Sequence, residues 1–150
     1  MTEQTIALVT GANKGIGYEI VAQLAERGMT VFLGARDEQR RERAVAALRD
    51  AGHDDVHPIA LDVTDPATAR AAAATVEERY GRLDVLVNNA GISGAMAQAP
   101  SSVDPAVIRA VFDVNVLGVL TVTNAICRCC AGPALPASST CPAASARWPR

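Results

Sequence analysis

Cysteine is absent from the first 126 residues of this 150-residue chain, and lysine occurs only once, as Lys14. A protein body without cysteine suits a reducing compartment, so we expect a cytoplasmic location. No basic and apolar leader opens the chain, and no uninterrupted apolar run is long enough to span a bilayer. The sequence therefore predicts neither secretion nor a membrane as partner.

Neither sign of charge is in large excess. The formal net charge is −2, and charged residues make up 20% of the chain against 49% hydrophobic residues. This balance gives no reason to expect nucleic acid or an anionic membrane as partner. Length and composition are those of one ordinary globular domain with a sizeable core.

Four short apolar segments alternate with helical patterns. We predict strands at Thr5–Thr10, Thr30–Leu33, Val56–Leu61 and Val85–Asn88. The first, second and fourth are continuous apolar runs, which are typical of parallel strands covered on both faces. Repeated strand–helix units with short loops predict an α/β fold. We expect a Rossmann-like, doubly wound parallel sheet in three layers, ending after about the fourth strand.

The helical segments carry start and stop signals. The first has Ile16, Ile20 and Leu24 at a spacing of four and stops near Gly28, and the second covers about residues 37–51. Two further helices begin with an Asp–Pro pair, because aspartate caps a helix and proline fits its first turn. These pairs are Asp65-Pro66 and Asp104-Pro105.

The segment TGANKGIG, Thr10–Gly17, directly follows the first strand and opens the first helix. In this context Gly11 makes the turn, Gly15 lets the backbone approach a pyrophosphate, and Gly17 allows close helix–strand packing. The helix N-terminus offers N–H groups and a positive dipole end to phosphates. The segment predicts a dinucleotide site, to which the loop also contributes Asn13, Lys14 and Ile16.

Arg36 stands at the end of the second strand, 19 positions after Gly17. The adenosine ribose lies about 20 residues beyond the glycines in such sites. A guanidinium there pairs with a 2′-phosphate, whereas a carboxylate pairs with a free 2′-hydroxyl. With Lys14 as a second positive charge, Arg36 predicts NADP in preference to NAD. The alternative is that Arg36 is a solvated charge and Asp37 is the ribose ligand.

Three motifs together resemble the short-chain dehydrogenase/reductase family. TGANKGIG is similar to its TGxxxGxG loop, Leu61–Val63 to the end of its third strand, and Leu86–Gly91 to its NNAG motif. Gly34–Asp37 is most similar to the NADPH-dependent carbonyl-reductase branch. The resemblance implies hydride transfer between NADPH and a small carbonyl or alcohol substrate, and intact members are often homo-oligomers.

The resemblance also implies roles for individual residues. Asp62 would bond the adenine amino group, and the backbone of Val63 would line the ring. Asn89 would sit beside the nicotinamide ribose and help to hold the central strand. The same motif would bring two further residues to the cofactor, Ala90 and Gly91.

Asn115 shares a predicted helical face with Ile108, Val111 and Val119, and this face is expected to point at the core. A buried amide must be hydrogen-bonded, so a structural asparagine is one interpretation. The resemblance implies another, because the family places a catalytic asparagine in this segment, where it supports a water-linked proton relay. We expect Asn115 to be catalytic, with Gly118 easing close packing.

The family's tyrosine and the lysine four residues after it are missing. The chain has only Tyr18 and Tyr80, followed four residues later by Ala22 and Asp84. Both tyrosines precede Asn115, whereas the family's tyrosine follows it. His53 and His57 flank a polar loop and are expected to face solvent. Without the proton donor we expect no turnover from the chain as written.

The composition changes sharply at Ile126. All four cysteines and four of eight prolines follow, with no Asp or Glu. Reading one base over, with an ATG codon that lost its G, turns Ile126-Cys-Arg-Cys-Cys-Ala into Met-Leu-Pro-Leu-Leu-Arg. Further on, the same frame gives a segment similar to the family's fifth strand and active-site serine. A metal or redox cluster at Cys127, Cys129 and Cys130 is the competing interpretation, but this spacing fits zinc poorly, so no metal is predicted.

We therefore expect residues 1–125 to form an NAD(P)-binding domain and residues 126–150 to be an irregular, out-of-frame tail. Three functions remain open: an active reductase in the intact form, a catalytically dead NADPH-binding fragment, and an unstable frameshift product with no role.

Overall fold

Strands and helices alternate along the chain in the computed structural model, which describes residues 4–94 and 102–130. The elements are β1 (Ile6–Thr10), α1 (Gly15–Glu26), β2 (Thr30–Ala35), α2 (Glu38–Asp50), β3 (Val56–Ala60), α3 (Pro66–Tyr80), β4 (Val85–Val87), α4 (Pro105–Phe112) and α5 (Gly118–Cys130). A π-helical turn at Asp113–Leu117 joins α4 directly to α5. All strand pairs are parallel, in the order β3-β2-β1-β4.

Helices cover both faces of this sheet. On one face α1 and α2 pack around Val21, Val45 and Leu48, and on the other α3 and α5 pack around Val76 and Val122. Every residue of β1 and β2 is buried, since each face meets a helical layer. The predicted three-layer, doubly wound α/β fold is confirmed.

Two predicted apolar stripes face the core only in part. Ile16 is 76% exposed on the first turn of α1, whereas Ile20 and Leu24 are partly buried against the core, and Gly17 and Val21 are buried. Ile108 is 47% exposed, and Asn115 is exposed as well. The π turn inserts an extra residue in each turn it makes, so it rotates α5 relative to α4. The face that packs inward carries Val114, Gly118, Val122, Ala125 and Ile126.

Helix α5 crosses the boundary predicted after residue 125. Ala125 and Ile126 are both buried in the layer that contains α3. The helix continues to Cys130, where an irregular tail was expected. Residues 131–150 lie outside the described residues.

By length and composition alone, the 23-residue stretch Pro105–Cys127 could cross a membrane. In the fold, one face of this stretch packs against α3, and only a small part of the stretch is buried.

Candidate functional site

The predicted site residues come together at the carboxyl edge of the sheet. Parallel strands end at the same edge, and the chain leaves β1 toward β2 on one side and reaches β4 on the other. A crevice outside such a switch point is where open α/β sheets bind ligands. The segments that meet there are the glycine loop after β1, Arg36 after β2, Asp62-Val63 after β3 and Asn89–Gly91 after β4.

Each glycine of the loop has a different environment. Gly11 has a φ of +64°, and a Cβ there would lie 2.7 Å from the Cα of Ala90. Gly17 is buried, and a Cβ there would collide with the side-chain amide of Asn89. A Cβ at Gly15 would meet nothing within 4 Å. The loop therefore packs against the end of β4 and is open to an approaching ligand at Gly15.

Asn89 and Thr10 join the ends of β1 and β4. The Asn89 Nδ2 donates to the carbonyl oxygens of Thr10 at 3.0 Å and Gly11 at 3.1 Å. In return, the buried Thr10 hydroxyl accepts from the backbone N–H groups of Asn89 at 3.1 Å and Ala90 at 3.0 Å. Asn89 thus holds the central strands together, as the resemblance implied. The role of Thr10 in this junction was not predicted, although its place at the end of a buried strand was a signal.

Helix α1 begins differently from α2, α3 and α4. Each of those three helices has an aspartate whose Oδ1 accepts a backbone N–H at 2.8 Å, namely Asp37, Asp65 and Asp104. Helix α1 follows Lys14, and no side chain caps it. An uncapped N-terminus leaves N–H groups for an anion. Lys14 is exposed and Asn13 half-buried at this point, and the side chain of Ile16 projects beside them.

Arg36 and Asp62 share one corner of the edge. The hydrogen bond from the Thr64 hydroxyl, at 2.7 Å, is the main cause that lowers the pKa of the Asp62 carboxyl, while partial burial raises it. The Thr64 backbone N–H, at 2.9 Å, and the nearby positive charge of Arg36 lower this pKa further. Both bonds end on Oδ1. Within the described residues Oδ2 accepts none, so this oxygen can accept from an amino group.

Asp37 is engaged in capping α2. Its Oδ1 accepts from the backbone N–H of Arg40 at 2.8 Å, and its Oδ2 lies 3.7 Å from the Arg40 Nε. These contacts weigh against Asp37 as the ribose ligand. Arg40 also lines a groove of about 510 Å³ between α1 and α2 with Lys14, Tyr18 and Arg43. That Arg40 and Arg43 line this groove was not predicted, although their helical spacing after Arg36 could have indicated it.

Asn115 lies in the middle of the π turn. Its Oδ1 accepts from the Ile92 backbone N–H at 2.9 Å, and its Nδ2 donates to the Ile92 carbonyl at 2.8 Å. A Cβ on Gly91 would be 3.4 Å from the same Oδ1. The amide therefore holds the loop after β4 next to the site, where π turns frequently occur. A catalytic role for Asn115 stays a prediction.

The start of α5 packs against Val63 at the same edge of the sheet. A Cβ on Gly118 would be 2.8 Å from the Val63 Cγ2, so Gly118 permits the close packing that was predicted. Beside Val63 is an open cavity of about 520 Å³, lined by Thr64, Ala110, Asp113, Val114, Leu117 and Thr121. No sequence pattern connected these helical residues with the site.

His57 lies away from this edge and does not face solvent freely. It is half-buried, its ring centroid is 5.7 Å from that of Phe32, and Tyr80 packs edge-on against Phe32 at 5.8 Å. Burial is the main cause that lowers the pKa of His57, and the charges of Arg49 and Arg79 lower it further. No three His, Cys, Asp or Glu side chains form a possible metal site in the described part of the chain.

The sequence model of the short chain dehydrogenase family matches residues 5–134, which include every segment of this site. The chain belongs to the short-chain dehydrogenase family. Short-chain dehydrogenase/reductase 1 of Saponaria officinalis is 39% identical over 132 residues, which are 87% of this chain and 43% of that protein. The chain thus spans less than half the length of this relative.

Solved structures of family members agree with the fold. A variant of the actinorhodin polyketide ketoreductase with NADPH has a TM-score of 0.78 and 37% identity, and the match covers 84% of this chain and 47% of that one. The 3-ketoacyl-(acyl-carrier-protein) reductase of Brucella melitensis with NADH has a TM-score of 0.73 and 32% identity, over 83% and 49% of the two chains. The family is thus one of oxidoreductases, and its solved structures include both nicotinamide coenzymes.

Proposed function

We propose that this chain binds NADP(H) at the carboxyl edge of its sheet and prefers it to NAD(H). The observation that carries the proposal is the pairing of an uncapped α1 N-terminus with Lys14 and Arg36 at the adenosine corner. Relatives crystallised with NADPH and with NADH show that the fold alone does not select the coenzyme. Arg36, rather than a carboxylate, favours a 2′-phosphate here.

The residues of the edge fit the parts of this nucleotide in order. The N–H groups of the first turn of α1, next to the open side of Gly15, would hold the pyrophosphate. Asp62 Oδ2 would accept from the adenine amino group, with Val63 against the ring. Asn89, with Ala90 and Gly91, would line the nicotinamide half. When bound, NADPH would supply a hydride to a carbonyl carbon.

The chemistry of this chain is limited by its proton donors. Neither Tyr18 nor Tyr80 has a lysine four residues later. The amide of Asn115 is already bonded on both atoms to Ile92, so it is placed to hold a loop and not to transfer a proton itself. We propose binding without turnover. In the intact family architecture, the same site would serve an NADPH-dependent reductase of a small carbonyl compound in the cytoplasm.

The test compares two coenzymes in one variant. Arg36→Ala should weaken the binding of NADPH by about 1.5–3 kcal/mol, or roughly 10- to 150-fold in Kd, since one charge-assisted contact is lost. NADH should be almost unaffected. Arg27→Ala, which removes the same charge at the other end of α1, is the matched control.

Equal losses for both coenzymes in Arg36→Ala would contradict the preference for NADP. A carbonyl-reduction assay on the unchanged chain tests the second half of the proposal. NADPH binding without turnover supports it, turnover favours the active-reductase alternative, and failure of both binding and turnover favours a product with no role.

A further inference from the structure

Arg41 differs from the other arginines at the start of α2. Arg40 and Arg43 are exposed, whereas Arg41 is only 8% exposed. A buried guanidinium is costly unless it finds partners. This one is not set against a buried carboxylate, because the acid within reach is Glu42, which is half-exposed and 3.6 Å from the Nε.

The Arg41 guanidinium is instead bonded to the backbone at the end of β2. Its Nη1 donates to the Ala35 carbonyl at 2.9 Å, and this bond is buried. Within the part of the chain that the structure describes, the buried Nε has no hydrogen-bond partner. The hydrogen bond to Ala35 is therefore the main contact that the buried guanidinium makes.

Ala35 is the residue that directly precedes Arg36. Its carbonyl accepts a second bond, from the Leu61 N–H at 3.2 Å, just before the Asp62 corner. The preceding carbonyl, that of Gly34, accepts from the Ala12 N–H of the glycine loop at 3.1 Å. The last peptide groups of β2 are thus held from the loop, from the end of β3 and from α2.

We propose that Arg41 is a positioning residue, whose bond to the Ala35 carbonyl directs Arg36 toward the 2′-phosphate of the bound nucleotide. The inference rests on the proposed NADP(H) site and adds a residue that does not touch the ligand. Arg36 itself is exposed, so the backbone on which it stands sets where its guanidinium can reach. A charge-assisted contact is strong only at short distance and good angle, which requires a fixed backbone.

The experiment uses the full chain and measures Kd for NADPH and NADH. Arg41→Met keeps an apolar stem but removes every donor, and Arg41→Gln is a second variant with a shorter, uncharged side chain. Each variant should raise the Kd for NADPH about fivefold to tenfold and the Kd for NADH less than about twofold. Only the direction of Arg36 changes, and Arg36 is proposed to contact the 2′-phosphate that NADH lacks. Arg27→Met, the same charge change at the far end of α1, should alter neither.

A double variant separates positioning from a general structural role. In an Arg36→Ala background, Arg41→Met should no longer weaken NADPH, since there is no guanidinium left to direct. If Arg41→Met or Arg41→Gln weakens both coenzymes equally, or if the loss persists in that background, the proposal is wrong.

The outcome for Arg36→Ala alone distinguishes the two proposals. If that variant loses both coenzymes equally, the proposed NADP(H) preference fails first. If it is selective for NADPH while both Arg41 variants keep the ratio of the two Kd values, only the positioning role fails. If Arg41→Met does not fold, the same ratio measured on Arg41→Gln decides.

Discussion

Replacing Asn89 should loosen the junction between β1 and β4. Asn89→Ala removes the two bonds from Nδ2 to the carbonyl oxygens of Thr10 and Gly11, at 3.0 and 3.1 Å. Each such bond contributes about 0.5–1.5 kcal/mol net, so the free energy of unfolding should fall by about 1–3 kcal/mol. For a domain of this size the melting temperature should drop by roughly 2–12 °C.

A second variant tests the direction of these bonds. Asn89→Asp has nearly the same shape, but its carboxylate can only accept, and it would face two carbonyl oxygens. At neutral pH this variant should therefore be less stable than Asn89→Ala. Acidification to a pH at which the carboxyl is protonated should recover part of the difference, because one donor returns.

The neighbouring residue is the matched control. Asn88 is exposed, and its Nδ2 makes one long contact, 3.4 Å to the Thr123 hydroxyl. Asn88→Ala should cost less than about 0.5 kcal/mol. Urea unfolding followed by circular dichroism measures all three variants, with the denaturant slope unchanged. Equal losses at Asn88 and Asn89, or a more stable Asn89→Asp than Asn89→Ala, would refute the assignment of the two bonds.

Two more expectations follow from packing and titration. Gly17→Ala should lower the free energy of unfolding by about 1–3 kcal/mol, because its Cβ meets the Asn89 amide and lies 2.9 Å from the Ala12 Cα; urea midpoints check this, and an unchanged midpoint would contradict it. His57 has a folded-state pKa below its ordinary value of 6.5, so the unfolded chain takes up the proton first. Stability should be full above pH 6.5, decline as the pH falls from 6.5 toward the lower folded pKa, and level off below that pKa. Unfolding free energies measured from pH 8 down to pH 5 should show this decline, and His57→Gln should flatten it; a steeper profile in that variant would oppose the reasoning.

Much of the fold could be predicted because its signals are local. All four predicted strands end within two residues of their observed ends, and the aspartates before α3 and α4 cap those helices as expected. The glycine loop was recognisable because its turn needs a positive φ at Gly11. These features depend on residues that are adjacent in the chain.

The helix that carries Asn115 was predicted less well. The regular spacing of Ile108, Val111, Asn115 and Val119 predicted one continuous helical face. The π turn at Asp113–Leu117 interrupts this face, and the spacing did not indicate it. The turn rotates α5 so that Gly118 meets Val63, and it leaves Ile108 exposed. Asn115 was found by resemblance, while its bonds to Ile92 required the fold.

The sequence by itself determined the parallel α/β architecture, the uncapped start of α1 and the positive charge after β2, since each follows from neighbouring residues and their backbone preferences. Only the tertiary structure decided which residues that are distant in the chain meet at the sheet edge. Asn89 reaches back to Gly11 across 78 positions, and Arg36 comes near Asp62. Arg41 looked like any other residue of an arginine-rich helix, and only the packing of α2 on the sheet buries it against Ala35. The physical reason is that burial and hydrogen-bond direction depend on how the layers pack, which no local pattern in the chain encodes.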